Sequence, residues 1–374
     1  MAPIARTALL GAAAASVAAA AAAAAPAPVG TLYAFGILSV PDDDDATAGV
    51  MTFDPVTGAR TIAKPFPFAA TDESALYCFI GWAAGTGAAG AGPRYFATSG
   101  PTPNVTTVDA ASGVVLANVP VAPSVYVLSF SYDETRQRGV ALLGDENKLE
   151  LAYVDTATGA LTLLNATVPA LFDRVIPCSQ RLIPSHGWLL VMATVTDRDD
   201  GDETWLVLDY TRGGATVFEG PWVFAKHGRV NAFVELPLSA GPLSGMGVLA
   251  TPKKDDDTWG SLVWVNFTAP GDEVVVPLAD FAAAFAANSS TYSDVVMTLG
   301  CLTLAETAPG TAFTAFILAR DNGSETPLLI AVDLAVGAGG LAVVGAPRLT
   351  LLDEAGVAGD VYGLRWAPGA PGAA

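Results

Sequence analysis

The chain has 374 residues, of which 37 are acidic and 18 are basic, so its formal net charge at pH 7 is −19. This charge disfavours nucleic acid and anionic membrane surfaces as partners. Only three cysteines occur, Cys78, Cys178 and Cys301, without a C-x-x-C pair, which excludes a disulfide scaffold and the common zinc modules. The fold must therefore depend on a large apolar core.

The N-terminal segment has the pattern of a secretory signal peptide. Arg6 precedes an apolar run from Ala8 to Ala25, and small residues follow around Pro26. We therefore expect residues 1–27 to be a signal peptide and residues 28–374 to form a single secreted domain. A membrane anchor is the alternative, but poly-alanine is weakly hydrophobic and no basic cluster follows it. No later apolar run approaches the roughly 20 residues that span a bilayer, so we expect no membrane span after cleavage.

Asparagine usage also indicates export. Of only eight asparagines, five begin an Asn-X-Ser/Thr sequon, whereas chance predicts about one. We expect these five to be glycosylated on the surface of a secreted glycoprotein. They are Asn104, Asn165, Asn266, Asn288 and Asn322.

A strand-turn-strand phrase recurs along the chain, with an Asp near its start and a Gly at its end. The Asp can accept hydrogen bonds from backbone amides two or three residues later, and the Gly supplies a positive φ, so each copy predicts a hairpin turn. Six copies at spacings of 46 to 67 residues are typical of propeller blades. The four strong copies are Phe53–Gly58, Val108–Gly113, Val154–Gly159 and Leu208–Gly213, and the two weaker copies are Val265–Gly271 and Val332–Gly337.

The phrases lie within sets of four apolar runs, which predict four strands per blade. The third set is the clearest, with strands at Ser124–Tyr132, Gly139–Leu143, Leu149–Asp155 and Ala160–Leu164. The first set lacks a first strand, and one strand is left over at Asp360–Trp366. The sequence therefore predicts an all-β, six-bladed β-propeller, closed by pairing of this C-terminal strand with Leu32–Leu38 in the N-terminal blade. We expect a monomer.

The wording V-D-x-x-[ST]-G-x-hydrophobic, present at Val108–Gly113 and Val154–Gly159, resembles the repeats of YVTN-type and quinoprotein-like β-propellers. The resemblance implies blades. Because those families include binding proteins, scaffolds and enzymes, and the wording is turn chemistry, it transfers no catalytic residue.

Acidic residues cluster between the second and third predicted strands of five blades, where propeller topology places them on one face. These clusters are Asp42–Asp45, Asp145–Glu146, Asp197–Glu203, Asp255–Asp257, and Asp321 with Glu325. Within the third cluster, Asp197, Asp199, Asp200 and Asp202 loosely resemble a calcium loop, although the fifth and twelfth positions depart from the EF-hand pattern. We expect no cofactor other than Ca²⁺. The alternative is that these acids are solvated hairpin tips.

The remaining residues favour binding over catalysis. His186 and His227 are predicted on opposite faces, and no nucleophile elbow, phosphate loop or His-Glu-x-x-His motif occurs. We therefore expect a secreted, non-enzymatic binding protein that holds an extracellular protein or glycan at its loop face. Trp205 and Trp259 are the candidate ligand-stacking residues, unless they pack between blades. The alternative is a calcium-dependent propeller enzyme of the lactonase or esterase kind, which would need polar side chains on its inner strands.

Overall fold

The computed structural model describes residues 28–38, 47–62, 80–85, 92–98, 104–121, 127–145, 148–164, 172–175, 181–195, 203–220, 230–236, 246–252, 261–267, 273–281, 295–321, 326–337, 340–352 and 361–368. Within these ranges the strands form six antiparallel sheets. No helix among the described residues is long and apolar enough to cross a membrane.

The first three sheets each hold four strands. Sheet 1 contains β1 (Gly30–Leu38), β2 (Thr47–Phe53), β3 (Arg60–Ile62) and the last strand of the chain, β26 (Val361–Pro368). Sheet 2 contains β4 (Ile80–Ala83), β5 (Arg94–Thr98), β6 (Asn104–Asp109) and β7 (Val115–Pro120). Sheet 3 contains β8 (Val127–Asp133), β9 (Arg138–Asp145), β10 (Lys148–Val154) and β11 (Leu161–Leu163).

The other three sheets follow the same plan. Sheet 4 contains β12 (Phe172–Val175), β13 (Arg181–Ile183), β14 (Trp188–Val195), β15 (Glu203–Asp209) and β16 (Ala215–Gly220), with a 3-10 turn at Tyr210–Arg212. Sheet 5 contains β17 (Val230–Glu235), β18 (Met246–Pro252), β19 (Ser261–Phe267) and β20 (Glu273–Asp280). Sheet 6 contains β21 (Val295–Ala308), β22 (Ala312–Asp321), β23 (Thr326–Gly337), β24 (Gly340–Val343) and β25 (Arg348–Leu351).

Sheets 4 and 6 keep four strand positions although each has five strands. In sheet 4, β12 and β13 both pair with β14, so together they occupy the first position. In sheet 6, β24 and β25 both pair with β23 and share the fourth position. The chain is therefore a β-propeller protein with four-stranded blades, which confirms the predicted fold class at that level.

The two ends of the chain meet in sheet 1. Strand β26 pairs antiparallel with β1, with Leu32 opposite Trp366 and Gly36 opposite Val361. The expected pairing of the C-terminal strand with Leu32–Leu38 is therefore present, and β26 supplies the first strand that the N-terminal set lacks.

The central strands are apolar at consecutive positions because both of their faces are buried. In β9, Ala141 and Leu143 pack toward sheet 2, whereas Val140 and Leu142 pack toward sheet 4. Successive side chains of a strand point to opposite faces, so one strand contributes to two cores. By contrast, β7 alternates between exposed and half-buried residues, as an outer edge strand does.

Five apolar clusters join consecutive sheets. They lie between sheets 1 and 2, 2 and 3, 3 and 4, 5 and 6, and 6 and 1. In addition, the Ser185 hydroxyl of sheet 4 donates a hydrogen bond to the Glu235 carboxylate of sheet 5. Large apolar side chains at sheet boundaries supply the core that the cysteine-poor sequence requires.

One predicted turn is wrong. The weak sixth phrase, Val332–Gly337, was expected to be a hairpin, but it lies inside the continuous strand β23, which pairs with β22 up to Ala335. The reason is that Asp333 has partners across the sheet: it accepts a hydrogen bond from the Thr314 hydroxyl at 2.7 Å and forms an ion pair with Arg348. Its carboxylate is therefore not available to cap a turn.

Candidate functional site

Most of the predicted ligand and metal residues lie outside the described part of the chain. This applies to Trp259, to the four aspartates of the calcium hypothesis, and to the sequons at Asn165, Asn288 and Asn322. Trp205 lies in β15, opposite Met192 of β14. Asn104 begins β6, where it is half-buried, and Asn266 lies in β19. In the described ranges, no three His, Cys, Asp or Glu side chains are grouped to hold a metal ion, and the calcium site stays a prediction.

Three of the acidic clusters, Asp42–Asp45, Asp197–Glu203 and Asp255–Asp257, fall wholly or mostly in connections outside the described residues. The 39–46, 196–202 and 253–260 connections join the second and third strands of sheets 1, 4 and 5. His186 instead lies between β13 and β14, which is the turn from the first to the second strand. Because the acids lie outside the described residues, their separation from His186 stays a prediction.

The four strong turn phrases adopt the predicted hydrogen bonds. The Asp54 carboxylate accepts from the Val56 and Thr57 amides, both at 2.8 Å, and Asp155 accepts from the Ala157 and Thr158 amides at 2.8 and 3.0 Å. Asp109 and Asp209 make equivalent bonds. The closing glycines of the four phrases have φ values between 70° and 72°. These turns share one end of the sheets with the turn that contains His186.

At this end of the molecule, the turns between first and second strands also bind one another. In sheet 3, the Glu134 carboxylate accepts hydrogen bonds from the Ala84 and Gly85 amides of sheet 2, at 3.1 and 3.2 Å. Arg136 donates to the Pro184 carbonyl oxygen of sheet 4 at 2.9 Å. Together with the bond from Ser185 to Glu235, these contacts link sheets 2 to 5 by side chains of a single class of turn.

The centre of this chain of contacts is the buried carboxylate of Asp133. One carboxylate oxygen accepts from the Thr135 amide and hydroxyl and from the Arg136 amide. The other oxygen accepts from the Arg136 guanidinium and the Tyr210 hydroxyl, both at 2.8 Å. Five donors therefore satisfy a charge that would be costly to bury alone.

Two carboxyl groups in this region have shifted pKa values of opposite direction. Burial opposes ionisation of Asp133, but the hydrogen bonds from Thr135, Arg136 and Tyr210 outweigh it and hold the pKa below its ordinary value. For Glu235, burial is the stronger effect and raises the pKa, although the bond from Ser185 opposes the shift. Asp133 is thus a stable structural anion, whereas Glu235 is held at an electrostatic cost.

Ser185, His186 and Glu235 combine nucleophile, base and acid side chains, yet they do not form a catalytic triad. The Ser185 hydroxyl lies between the other two, 2.7 Å from His186 Nδ1 and bonded to Glu235. A triad needs the histidine in the middle, oriented by the acid. The amides of His186 and Gly187 bond to the carbonyls of Ile183 and Pro184 within the turn, so they are not aimed at a substrate. The arrangement connects sheets 4 and 5.

A cleft of about 750 Å³ opens between sheets 2 and 3, close to the same turns. This volume is within the usual range for small-molecule sites. We call it the sheet 2–3 cleft. Its charged lining residues are three arginines, Arg94, Arg136 and Arg138, and one carboxylate, Asp155. The other lining residues are Phe96, Thr107, Leu116, Ala117, Tyr132, Gln137, Tyr153, Val154, Thr156, Ala157, Ala160 and Thr162.

Aromatic rings give the sheet 2–3 cleft a rigid wall. Phe96 and Tyr132 stack across the two sheets, with ring centroids 4.1 Å apart and planes 19° from parallel. The Arg138 guanidinium lies over the Tyr153 ring, 4.5 Å from its centroid. Such a cation–π contact holds the charge in place without neutralising it.

The sheet 2–3 cleft could not be predicted from the sequence, because the residues that line the cleft come from separate turns and strands. Arg136 lies on the turn after β8 and Arg138 begins β9, whereas Arg94 lies on β5, some forty residues earlier. The only signal in the sequence was local: two arginines within three residues, in a chain with twice as many acidic as basic residues.

Comparison with known proteins gives no family assignment, since no protein-family model and no curated protein matches the chain. Among solved structures, TolB from Acinetobacter baumannii matches over 91% of this chain and 67% of its own, with 12% identity and a TM-score of 0.49. A chain of a nidogen–laminin complex matches over 90% of this chain and 98% of its own, at 11% identity and a TM-score of 0.44. A puromycin hydrolase variant matches over 85% of this chain and 52% of its own, at 14% identity and a TM-score of 0.40. These similarities transfer no residue and no activity.

Proposed function

We propose that this protein is a secreted, non-enzymatic binding protein that holds a glycan in the sheet 2–3 cleft. The observation that carries the proposal is the charge of the lining, with three arginines to one aspartate, in a chain where acids outnumber bases two to one. A cleft lined by one sign of charge attracts ligands of the opposite sign, so this local reversal of charge favours a binding role for the cleft. The stacking roles of Trp205 and Trp259 at the acidic loop face stay predictions of the same class of function.

The scaffold for this function is a closed ring of six blades. Support comes from the order of the contacts: apolar clusters join sheets 5, 6, 1, 2, 3 and 4 in succession, and the bond from Ser185 to Glu235 links sheet 4 back to sheet 5. The pairing of β26 with β1 would then close the ring. A closed ring leaves no long sheet edge for aggregation, which suits a protein outside the cell.

Secretion is supported by the leader pattern of residues 1–27 and by the five sequons. Expression of the full chain in a eukaryotic secretory host should release a glycosylated protein whose N-terminus lies near residue 28. A product retained in the cytosol with Met1 intact would overturn this part of the proposal.

Ligand binding is tested by thermal melts against a panel of neutral and acidic oligosaccharides. A ligand at about 100 times its Kd stabilises the folded state by about 2.7 kcal/mol. Ala117→Trp should abolish the shift, since Ala117 lines the cleft and an indole would fill it. The control is Val56→Trp, at a position that is 73% exposed on a turn of sheet 1. If no sugar shifts the melt, or if both variants respond like the wild type, the proposed function is wrong.

A further inference from the structure

We infer that the sheet 2–3 cleft selects acidic sugars, and that Arg94 and Arg138 bind the carboxylate of a single uronic-acid unit. This inference rests on the proposed function and adds the chemical class of the ligand. Its basis is the difference between the three arginines of the lining.

Arg136 is occupied by the protein itself. Its guanidinium donates to the buried Asp133 carboxylate and to the Pro184 carbonyl oxygen, at 2.8 and 2.9 Å. Its task is to hold the turn of sheet 3 against sheet 4, and that contact positions the neighbouring Arg138.

In the described part of the chain, Arg94 and Arg138 form no ion pair; Arg138 Nε instead donates to the Arg136 carbonyl oxygen at 3.4 Å, and its guanidinium lies over the Tyr153 ring. Arg94 is half-buried and Arg138 is exposed, and no carboxylate of the described residues lies within ion-pair distance of either guanidinium. The two come from opposite walls of the cleft, Arg94 from sheet 2 and Arg138 from sheet 3. A planar guanidinium can bind a carboxylate through two parallel hydrogen bonds, so arginine is well suited to recognise that group.

The rest of the lining suits a sugar ring. Thr107, Thr156 and Thr162 carry hydroxyls that can both donate and accept hydrogen bonds, as the hydroxyls of a sugar require. The rings of Tyr132 and Tyr153 and the half-exposed side chain of Leu116 offer apolar surface for the carbon faces of the ring.

The charge of the whole molecule limits how acidic the ligand can be. A net charge of −19 repels polyanions at long range, and the repulsion grows with each charge that the ligand carries. Within the cleft, Arg136 is paired with Asp133, so Arg94 and Arg138 exceed Asp155 by one charge and can offset one negative charge of a ligand. A glycan with an isolated uronic-acid unit therefore fits, and a densely sulfated polymer does not.

The test is calorimetric titration of the mature protein with methyl β-D-glucuronide and, as a matched neutral probe, methyl β-D-glucoside. The glucuronide should bind about tenfold or more tightly than the glucoside, with affinity that falls as salt is raised. Arg94→Gln and Arg138→Gln should each remove most of this difference. Arg212→Gln should not, because its side chain is 82% exposed outside the cleft and pairs with Asp209.

Three outcomes would overturn the inference, and they separate it from the proposed function. Equal binding of glucuronide and glucoside, lost in Ala117→Trp, would keep the cleft as a glycan site but remove its acid selectivity. Binding of glutarate as tight as that of the glucuronide would show that the cleft reads a carboxylate and not a sugar. Failure of glucuronide and of every oligosaccharide of the panel to bind would overturn both proposals. Melting temperatures of the arginine variants, measured without ligand, verify that they fold.

Discussion

Glycine at the end of the strong turn phrases has two separate reasons, and one position shows both. Gly159 has φ +71°, a conformation that costs other residues about 1–2 kcal/mol. In addition, a Cβ atom there would lie 2.1 Å from the Pro120 carbonyl oxygen of sheet 2. The turn of one sheet is therefore packed directly on the backbone of its neighbour, and this contact forms part of the boundary below the cleft.

We expect Gly159→Ala to be more destabilising than Gly310→Ala. Both positions have positive φ, but a Cβ at Gly310 meets no atom within 4 Å, so that variant loses only the conformational preference. Overpacking against Pro120 should add about 1–3 kcal/mol at position 159. Denaturant unfolding of the two variants measures the difference. Equal losses would show that the backbone of sheet 2 yields without cost.

At the scale of the elements, polar turn residues contribute to the boundary between sheets 3 and 4 alongside apolar packing. The Tyr210 hydroxyl of sheet 4 donates to the Asp133 carboxylate of sheet 3, and the Tyr153 hydroxyl of sheet 3 donates to the Tyr210 carbonyl oxygen, both at 2.8 Å. Because buried hydrogen bonds are directional, they set how the two turns sit against each other, which apolar contact alone does not.

Tyr210→Phe should cost about 1.5–3 kcal/mol, since it removes a hydrogen bond to a buried charge. Tyr153→Phe is the matched control: it removes a bond to a neutral carbonyl oxygen and should cost about 0.5–1.5 kcal/mol. Equilibrium unfolding at pH 7 compares the two. A larger loss in Tyr153→Phe would contradict the central place of Asp133.

Because the pKa of Asp133 is lowered in the folded protein, protonation of this carboxylate should destabilise the fold at low pH. The stabilising effect of ionised Asp133 is complete above the ordinary aspartate pKa of about 3.9 and is lost as the pH falls through the lower pKa of the folded state. Tyr210→Phe should reduce this acid-dependent loss, because one of the bonds that lowers the pKa is gone. Unfolding free energies measured from pH 5 to pH 2 test this, and parallel curves for wild type and variant would exclude it.

Ionisation of Glu235 should change stability with pH in the direction opposite to that of Asp133. The pKa of Glu235 is raised in the folded state, so the folded protein binds a proton more tightly than the unfolded chain, and stability falls as the pH rises above the ordinary glutamate value of about 4.3. Glu235→Gln keeps an acceptor for the Ser185 hydroxyl but cannot ionise, so its stability should be flatter between pH 4 and pH 7. Ser185→Ala removes a bond that opposes the shift and should steepen the fall. A variant at position 235 that follows the wild-type curve would show that burial of this carboxylate carries no cost.

At the scale of the whole molecule, strand β26 joins sheet 1 to two neighbouring sheets. It pairs with β1, Trp366 stacks on Phe316 of sheet 6 with centroids 5.7 Å apart, and the Trp366 amide donates to the Thr303 hydroxyl. The Tyr95 hydroxyl of sheet 2 donates to the Gly363 carbonyl oxygen at 3.1 Å. A single strand thus contacts three sheets.

Deletion of residues 359–374 should abolish cooperative unfolding and secretion, because it exposes the edge of β1 and removes the partners of Phe316 and Tyr95. Deletion of residues 369–374 is the control, since it leaves β26 intact. Secreted yield and the melting curve are the measurements. If the protein that lacks residues 359–374 is secreted normally and melts like the wild type, the proposed closure of the ring by β26 is wrong.

The strand order and the strong turns of this protein could be predicted from the sequence, because they depend on a repeat and on local chemistry. An aspartate two or three residues before free amides, followed by glycine, makes the same turn in the four strong phrases, so the turns at Asp54, Asp109, Asp155 and Asp209 were predictable. The missing first strand at one end and the surplus strand at the other were visible for the same reason. Where the phrase had a cross-strand partner, as Asp333 has in Arg348, local chemistry gave the wrong answer.

Only the tertiary structure decided which separate turns and strands meet. The sheet 2–3 cleft joins Arg94 to Arg138, and the buried carboxylate joins Asp133 to Tyr210, which is 77 residues away in sequence. No periodicity or spacing encodes such pairs, because they depend on the relative placement of neighbouring sheets. That placement results from the packing of alternate side chains of each central strand into two different cores, a property of the assembled sheets.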